Sequence, residues 1–106
     1  MTDLLGFEEA DHAETSRLRV WGELDMASVP PLQDRLLALV GAGRTVELDL
    51  SGLTFMDSSG LNLLIAVARA AAENGGALAV AAVSPEVRRV LDLSGVAERL
   101  GLLPRS

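Results

Sequence analysis

Residues 45–61 have the sequence TVELDLSGLTFMDSSGL, in which a strand pattern passes directly into a helix pattern. In residues 45–50 every second side chain is apolar, which indicates a strand with one face buried and the other in water. Residues 57–59 then place a carboxylate and two hydroxyls at the predicted junction between the strand and the helix. The helix has a predicted buried stripe at helical spacing, made of Leu61, Leu64, Ile65, Ala68 and Ala72.

Upstream of this stretch, the patterns predict two strands and one helix. Residues 4–10 are a weak strand candidate, residues 11–16 are a polar turn, and residues 17–21 alternate as a half-buried strand. Ser28 is the predicted N-cap of the helix, because serine caps helices well and the two prolines that follow fit the first turn. The predicted apolar stripe of this helix consists of Val29, Leu32, Leu36, Leu39 and Val40.

Downstream, residues 77–83 form a continuous apolar run, which predicts an inner strand. Ser84 and the proline after it predict the start of another helix, and residues 96–100 predict a last short one. Strands separated by helices imply crossover connections and a largely parallel sheet. We therefore predict an α/β fold with a mixed, largely parallel sheet and helices mainly on one face, because the alternating strands leave the other face in water.

Composition and charge exclude several classes of protein. The 106 residues fit one domain spanning 1–106, because domains of roughly 100–150 residues are common. The chain has no cysteine and a single histidine, His12, so no thiolate or multi-histidine metal site and no cysteine nucleophile is expected. The net charge is −6 and no basic patch is visible, so no nucleic acid is expected as a partner.

The sequence also lacks the signatures of an enzyme or a membrane protein. It contains no G-x-S-x-G elbow and no glycine-rich nucleotide fingerprint, so we predict no catalytic residue, no cofactor and no metal. The N-terminus lacks the basic and apolar regions of a signal peptide. No apolar run approaches the ~20 residues that span a bilayer. A cytoplasmic protein without membrane insertion is expected.

The junction at residues 57–59 has two interpretations. In the first, Asp57 or Ser58 is an ordinary helix N-cap, and the pattern by itself favours that interpretation. Alternatively, a hydroxyl there accepts a phosphate, since free N–H groups and the helix dipole favour negative charge at a helix N-terminus. A phosphate would add about −1.5 to −2 charge beside Asp57 and break a contact without unfolding the domain.

Four blocks of the sequence stand out together. They are GELD at 22–25, LDLSGLTFMDSSGL at 48–61, NGG at 74–76, and VSPEV at 83–87 with LDLSG at 91–95. In this order and spacing the blocks resemble the STAS domain, and more narrowly the bacterial anti-sigma factor antagonists. The resemblance covers roughly residues 5–100.

The resemblance implies a switch. In that family the unphosphorylated antagonist binds an anti-sigma factor with serine kinase activity and so releases a sigma factor. The partner then phosphorylates the antagonist, with ATP, on the first serine after the motif's aspartate, and a phosphatase reverses the step. Here that serine is Ser58. The resemblance further implies the partner-binding residues Asp25, Met56, Asp57, Ser58, Ser59 and Gly60, with Asp25 near the acceptor and Gly60 allowing a partner's backbone to approach.

Two alternatives stay open. In the first alternative, the chain is a STAS docking or scaffold subunit that is not phosphorylated, in a stressosome-like assembly or a lipid-transport complex. The intact Asp57-Ser58 pair favours the switch over this alternative. Met56 and the outward-pointing Trp21 are either partner-facing hydrophobic residues or residues that pack within the domain itself.

Overall fold

The computed structural model describes residues 5–96 and 100, and in this part the chain forms four strands and three helices. The strands are β1 (Gly6–His12), β2 (Thr15–Leu24), β3 (Thr45–Met56) and β4 (Ala77–Val83). The helices are α1 (Val29–Gly41), α2 (Ser58–Glu73) and α3 (Pro85–Ser94). The sheet has the order β1-β2-β3-β4, with β1 antiparallel to β2 and the other neighbours parallel. The predicted α/β class and the mixed, largely parallel sheet are confirmed.

The two central strands bury one face and leave the other in water. The buried side chains, which form the core with the helices, are Leu18, Val20, Val46, Leu48 and Leu50. The side chains of the opposite face are Arg17, Arg19, Trp21, Glu47 and Asp49, none of them buried. This alternation confirms that the helices cover one face of the sheet, because side chains at successive strand positions point to opposite faces.

The buried stripe of α2 differs from the predicted one. The buried residues are Gly60, Leu63, Leu64, Val67 and Ala71, whereas the predicted Ala72 is exposed. The predicted Leu61, Ile65 and Ala68 are only partly buried, at the border of the core. The physical reason is composition: α2 carries apolar residues around most of its circumference, so periodicity does not single out one face.

Two further expectations need correction. The predicted turn over residues 11–16 is much shorter, because β1 runs to His12 and β2 begins at Thr15, with Ala13 at a φ of 53° in between. The predicted inner strand, β4, lies at the end of the described sheet. The apolar run suggested a strand buried on both faces, but the exposed positions 77 and 81 are occupied by small alanines. The predicted helix over 96–100 lies mostly outside the described residues.

No helix among the described residues is both long and apolar enough to cross a bilayer.

Candidate functional site

The parallel strands β2 and β3 end together at one edge of the sheet, the carboxyl edge. Leu24, the last residue of β2, is the register partner of Met56, the last residue of β3. The backbone N–H of Asp57 donates to the carbonyl of Leu24 at 3.3 Å. Asp25 and Asp57 each come directly after these paired residues. The structure therefore brings the two predicted aspartates to the same edge.

Asp57 is the N-cap of α2. Its Oδ1 accepts a hydrogen bond from the N–H of Ser59 at 2.8 Å, and its carbonyl accepts from the N–H groups of Gly60 and Leu61. Ser58, the first residue of the helix, is exposed, and within the described part of the chain no hydrogen bond involves its hydroxyl. The capping interpretation is thus confirmed for Asp57, and it leaves the Ser58 hydroxyl free for chemistry.

Asp25 is held in a tight turn between β2 and α1. Its Oδ1 accepts from the N–H groups of Ala27 at 3.0 Å and Ser28 at 3.1 Å. The Ser28 hydroxyl donates to the carbonyl of Glu23 at 2.8 Å and accepts from the N–H of Asp25 at 2.9 Å. These bonds lock the turn, so the half-buried Asp25 is a fixed feature of the carboxyl edge.

Ser28 is the N-cap residue of α1, as predicted, but its side chain makes no capping bond. Its backbone already has helical angles, with φ −101° and ψ −11°. A capping side chain needs an extended backbone to reach the N–H groups of the first turn. The hydroxyl of Ser28 instead turns back to the end of β2, where it bonds the turn of Asp25.

Two predicted partner-binding residues lie inside the domain. The Met56 side chain is only 5% exposed and belongs to the core, so the expectation that it faces a partner is wrong. Gly60 is also buried, and a Cβ at this position would lie 2.6 Å from Met56 Cγ and 2.9 Å from Leu24 Cδ2. The absence of a side chain at Gly60 therefore serves internal packing and not the approach of a partner. Ser59 is half-buried.

The sequence reasoning missed two exposed hydrophobic residues at this edge. Met26, beside Asp25, is 78% exposed, and Phe55, beside Met56, is 46% exposed. A signal for Met26 was available, because it belongs neither to the strand alternation before it nor to the helical stripe after it. Phe55 gave no clear signal, because β3 loses its strict alternation after Leu50. Among the described residues, no group of three His, Asp or Glu side chains has an arrangement suited to a metal ion.

The cap gives a direct prediction. Asp57→Ala is expected to destabilise the domain by about 1 kcal/mol, because it leaves the Ser59 N–H without its acceptor. For a domain of this size that corresponds to a fall in melting temperature of about 4–8 °C. Asp57→Asn keeps an accepting oxygen, and Ser58→Ala removes a hydroxyl without a bond, so both should melt close to the parent in a thermal scan. A Ser58→Ala variant that melts as low as Asp57→Ala would contradict this assignment of the cap.

Comparison with known proteins adds to this geometry. A family model described as "Mlab, STAS domain" matches residues 7–104. The anti-sigma-B factor antagonist of Staphylococcus epidermidis is 31% identical over 93 residues, which cover 87% of this chain and 86% of the relative. The chain is a STAS domain of the anti-sigma factor antagonist family. Relatives in this family are regulatory binding proteins.

Solved antagonists share the fold. An anti-sigma factor antagonist from Mycobacterium paratuberculosis superposes with a TM-score of 0.82 at 30% identity, covering 95% of this chain and 86% of that one. SpoIIAA, solved in unphosphorylated and phosphorylated forms, gives TM-scores of 0.73 and 0.71 at 29% and 27% identity. Each match covers 95% of this antagonist and 89% or 92% of SpoIIAA. The near-equal scores indicate that SpoIIAA keeps this fold in both forms.

Proposed function

We propose that this antagonist is a phosphorylation-controlled switch whose acceptor is Ser58. Unphosphorylated, it binds an anti-sigma factor with serine kinase activity in the cytoplasm and thereby releases a sigma factor. The partner transfers the γ-phosphoryl group of ATP to the Ser58 hydroxyl, which loses its proton, and ADP leaves. A phosphatase restores the free hydroxyl. The chain supplies the acceptor and the docking surface and performs no catalysis of its own.

One observation carries the proposal: the Ser58 hydroxyl is exposed and without a hydrogen bond at the first position of α2. A kinase must reach the acceptor hydroxyl without unfolding its substrate. An exposed hydroxyl that makes no hydrogen bond within the domain meets that condition. The neighbouring cap is made by Asp57, so modification of Ser58 leaves the start of the helix intact. The existence of a phosphorylated SpoIIAA structure with the same fold supports the same conclusion.

The charges at the carboxyl edge explain how a phosphate acts as a switch. Asp57 and the turn of Asp25 already make this edge acidic, and a phosphate adds about −1.5 to −2 further charge. The first turn of α2 tolerates that charge, because its N–H groups and the helix dipole favour an anion. The phosphate adds steric bulk and makes the local electrostatic potential more negative. A partner surface that fits the neutral serine therefore no longer fits. Binding is therefore lost while the fold is kept.

The docking surface follows from the exposure of its residues. Asp25, Asp57, Ser58 and Ser59 form the polar part, and Met26 adds an exposed apolar side chain next to Asp25. Met56 and Gly60 act indirectly, because their packing against Leu24 sets the position of the junction. Apolar contacts bordered by polar residues are typical of protein interfaces.

The proposal is tested by phosphorylation in vitro. The purified chain is incubated with ATP and each anti-sigma factor kinase of its source bacterium, and the modified site is mapped by peptide mass spectrometry. We expect a single phosphate on Ser58, no incorporation into Ser58→Ala, and unchanged incorporation into the matched control Ser94→Ala. Phosphate on Ser59 or another residue, or none with any kinase, would overturn the assignment of the switch.

A second candidate function is a docking subunit that is never phosphorylated, and the description of the matching family model as "Mlab, STAS domain" favours it. In that role the carboxyl edge or another surface binds a partner constitutively. The two functions differ in one measurement, the incorporation of phosphate during incubation with ATP and the kinases. A docking subunit takes up no phosphate and keeps its affinity for its partner after the incubation, whereas the switch takes up phosphate on Ser58 and loses affinity.

A further inference from the structure

The face of the sheet that carries no helices, the open face, has mostly charged residues that pair with one another. Arg19 contacts Glu8 at 3.0 Å and Arg17 contacts Glu47 at 3.0 Å, both between neighbouring strands. The hydroxyl and N–H of Ser51 donate to Asp49 and hold the pKa of this carboxyl below its ordinary value. Since these charges have partners within the domain, this part of the open face is a solvated surface.

The open face changes character towards the carboxyl edge, where two aromatic side chains are exposed. Trp21 is 40% exposed and Phe55 is 46% exposed. Trp21 is the register partner of Gly52, and Glu23, two positions further along β2, is the partner of Phe55. Both side chains therefore lie on the open face towards the ends of adjacent strands, with Phe55 three positions along β3 from the register partner of Trp21. We call Trp21 and Phe55 the aromatic patch.

The Trp21 side chain packs against two glycines, Gly6 and Gly52, which have no side chains to displace it. A Cβ at Gly6 would lie 2.4 Å from the ring, and one at Gly52 would lie 2.9 Å from Trp21 Cβ. The guanidinium of Arg19 lies 5.5 Å from the ring centre, within range of a cation–π contact. The ring therefore packs over Gly6 of β1, on the side of β2 away from β3, while a large part of it remains in water. A rigid exposed aromatic residue loses little conformational entropy on binding and is typical of an interface anchor.

We propose that the aromatic patch is a second contact region for the anti-sigma partner, which binds it with an apolar side chain bordered by basic residues. This inference rests on the proposed function. The patch adjoins the acceptor edge, because Phe55 is the next-to-last residue of β3 and Ser58 begins α2 two residues after that strand ends. A partner that contacts Ser58 and Phe55 reaches Trp21 by extending from β3 across β2 to the indole over Gly6 of β1.

The surrounding charge identifies the kind of partner. Asp25 and Asp57 lie at the same end of the sheet as the patch, and the charge of Arg19 beside Trp21 is already paired with Glu8, so a basic surface is complementary to this end. A second copy of this chain fits less well. A twofold contact through the patch would place each acidic edge near its own copy, and like charges across an interface are unfavourable.

The single tryptophan of the chain provides the test. The chain is labelled with 5-fluorotryptophan and titrated with the anti-sigma kinase that phosphorylates it, and the ¹⁹F signal is recorded with a soluble gadolinium chelate present. Covering of Trp21 is expected to shift the signal and to reduce its relaxation by the chelate. Phe55→Ala is expected to weaken binding roughly tenfold and to raise the KM for phosphorylation of Ser58 without changing kcat. The matched control Leu93→Ala removes another exposed hydrophobic side chain, 82% exposed on α3, and should alter neither value.

The outcomes separate this inference from the proposed function. Phosphorylation of Ser58 with an unchanged ¹⁹F signal and an unchanged KM for Phe55→Ala would overturn the aromatic patch alone. A ¹⁹F signal that moves with the concentration of the chain by itself, together with a dimer in sedimentation, would assign the patch to self-association instead. If no kinase binds or phosphorylates the chain, both the switch and the patch are overturned.

Discussion

Ser58→Asp is expected to weaken binding of the anti-sigma partner by roughly 100-fold, about 2.7 kcal/mol, while the melting temperature stays almost unchanged. The loss of affinity follows from placing a charge in a docking surface fitted to a neutral hydroxyl and already bordered by Asp57 and Asp25. The unchanged stability follows from the structure. Ser58 is exposed, holds no bond in the described structure, and occupies the first helical position, where an acidic side chain is well tolerated.

The measurement is isothermal titration with the partner kinase, accompanied by a thermal scan of each variant. Ser94→Asp is the control for net charge in the affinity measurement, because it adds the same charge at another exposed serine. Ser94 is the last residue of α3, which follows β4 and not β2 or β3, the strands that lead to the candidate site. Equal losses of affinity in both variants would mean that net charge, and not the site, governs binding. A large fall in melting temperature for Ser58→Asp would contradict the division of roles between Asp57 and Ser58.

Gly60→Val is expected to destabilise the domain by about 2–4 kcal/mol. The new side chain would overlap Met56 Cγ and Leu24 Cδ2, at 2.6 Å and 2.9 Å from the Cβ position, in the tightly packed region beneath the junction. Overpacking of this kind forces side chains from their preferred rotamers or moves the backbone. Because α2 begins two residues before Gly60, the same strain would displace the acceptor.

Chemical denaturation measures this effect, and Gly41→Val is the matched control. Gly41 is the last residue of α1, and a Cβ there meets nothing within 4 Å, so the substitution should change stability by less than about 0.5 kcal/mol. Met56→Ala should cost less stability in the Gly60→Val background than in the parent, because there it also removes the atom that the valine meets. Additive effects of the two changes would show that Met56 and Gly60 do not pack together as the structure indicates.

Local signals were enough to predict most of the architecture. The alternation in residues 45–50, the stripe of α1 and the prolines at the helix starts each report a strand or a helix through side-chain period and backbone preference. The same signals located the junction at residues 57–59, because a carboxylate followed by hydroxyls between two patterns is unusual. They did not predict the buried face of α2, where alanines make every face similar, or the edge position of β4.

The sequence by itself determined the fold class, the acidic and cysteine-free character of the chain, and the presence of a serine hydroxyl at a helix start. Only the tertiary structure decided which of the neighbouring residues are exposed and which are buried in the core. Met56 and Gly60 adjoin Ser58 in the chain yet pack inward, whereas Met26 and Trp21, distant in sequence, are exposed near the same edge. The physical reason is that strand register and close packing, which involve residues far apart in the chain, set the exposure of each side chain.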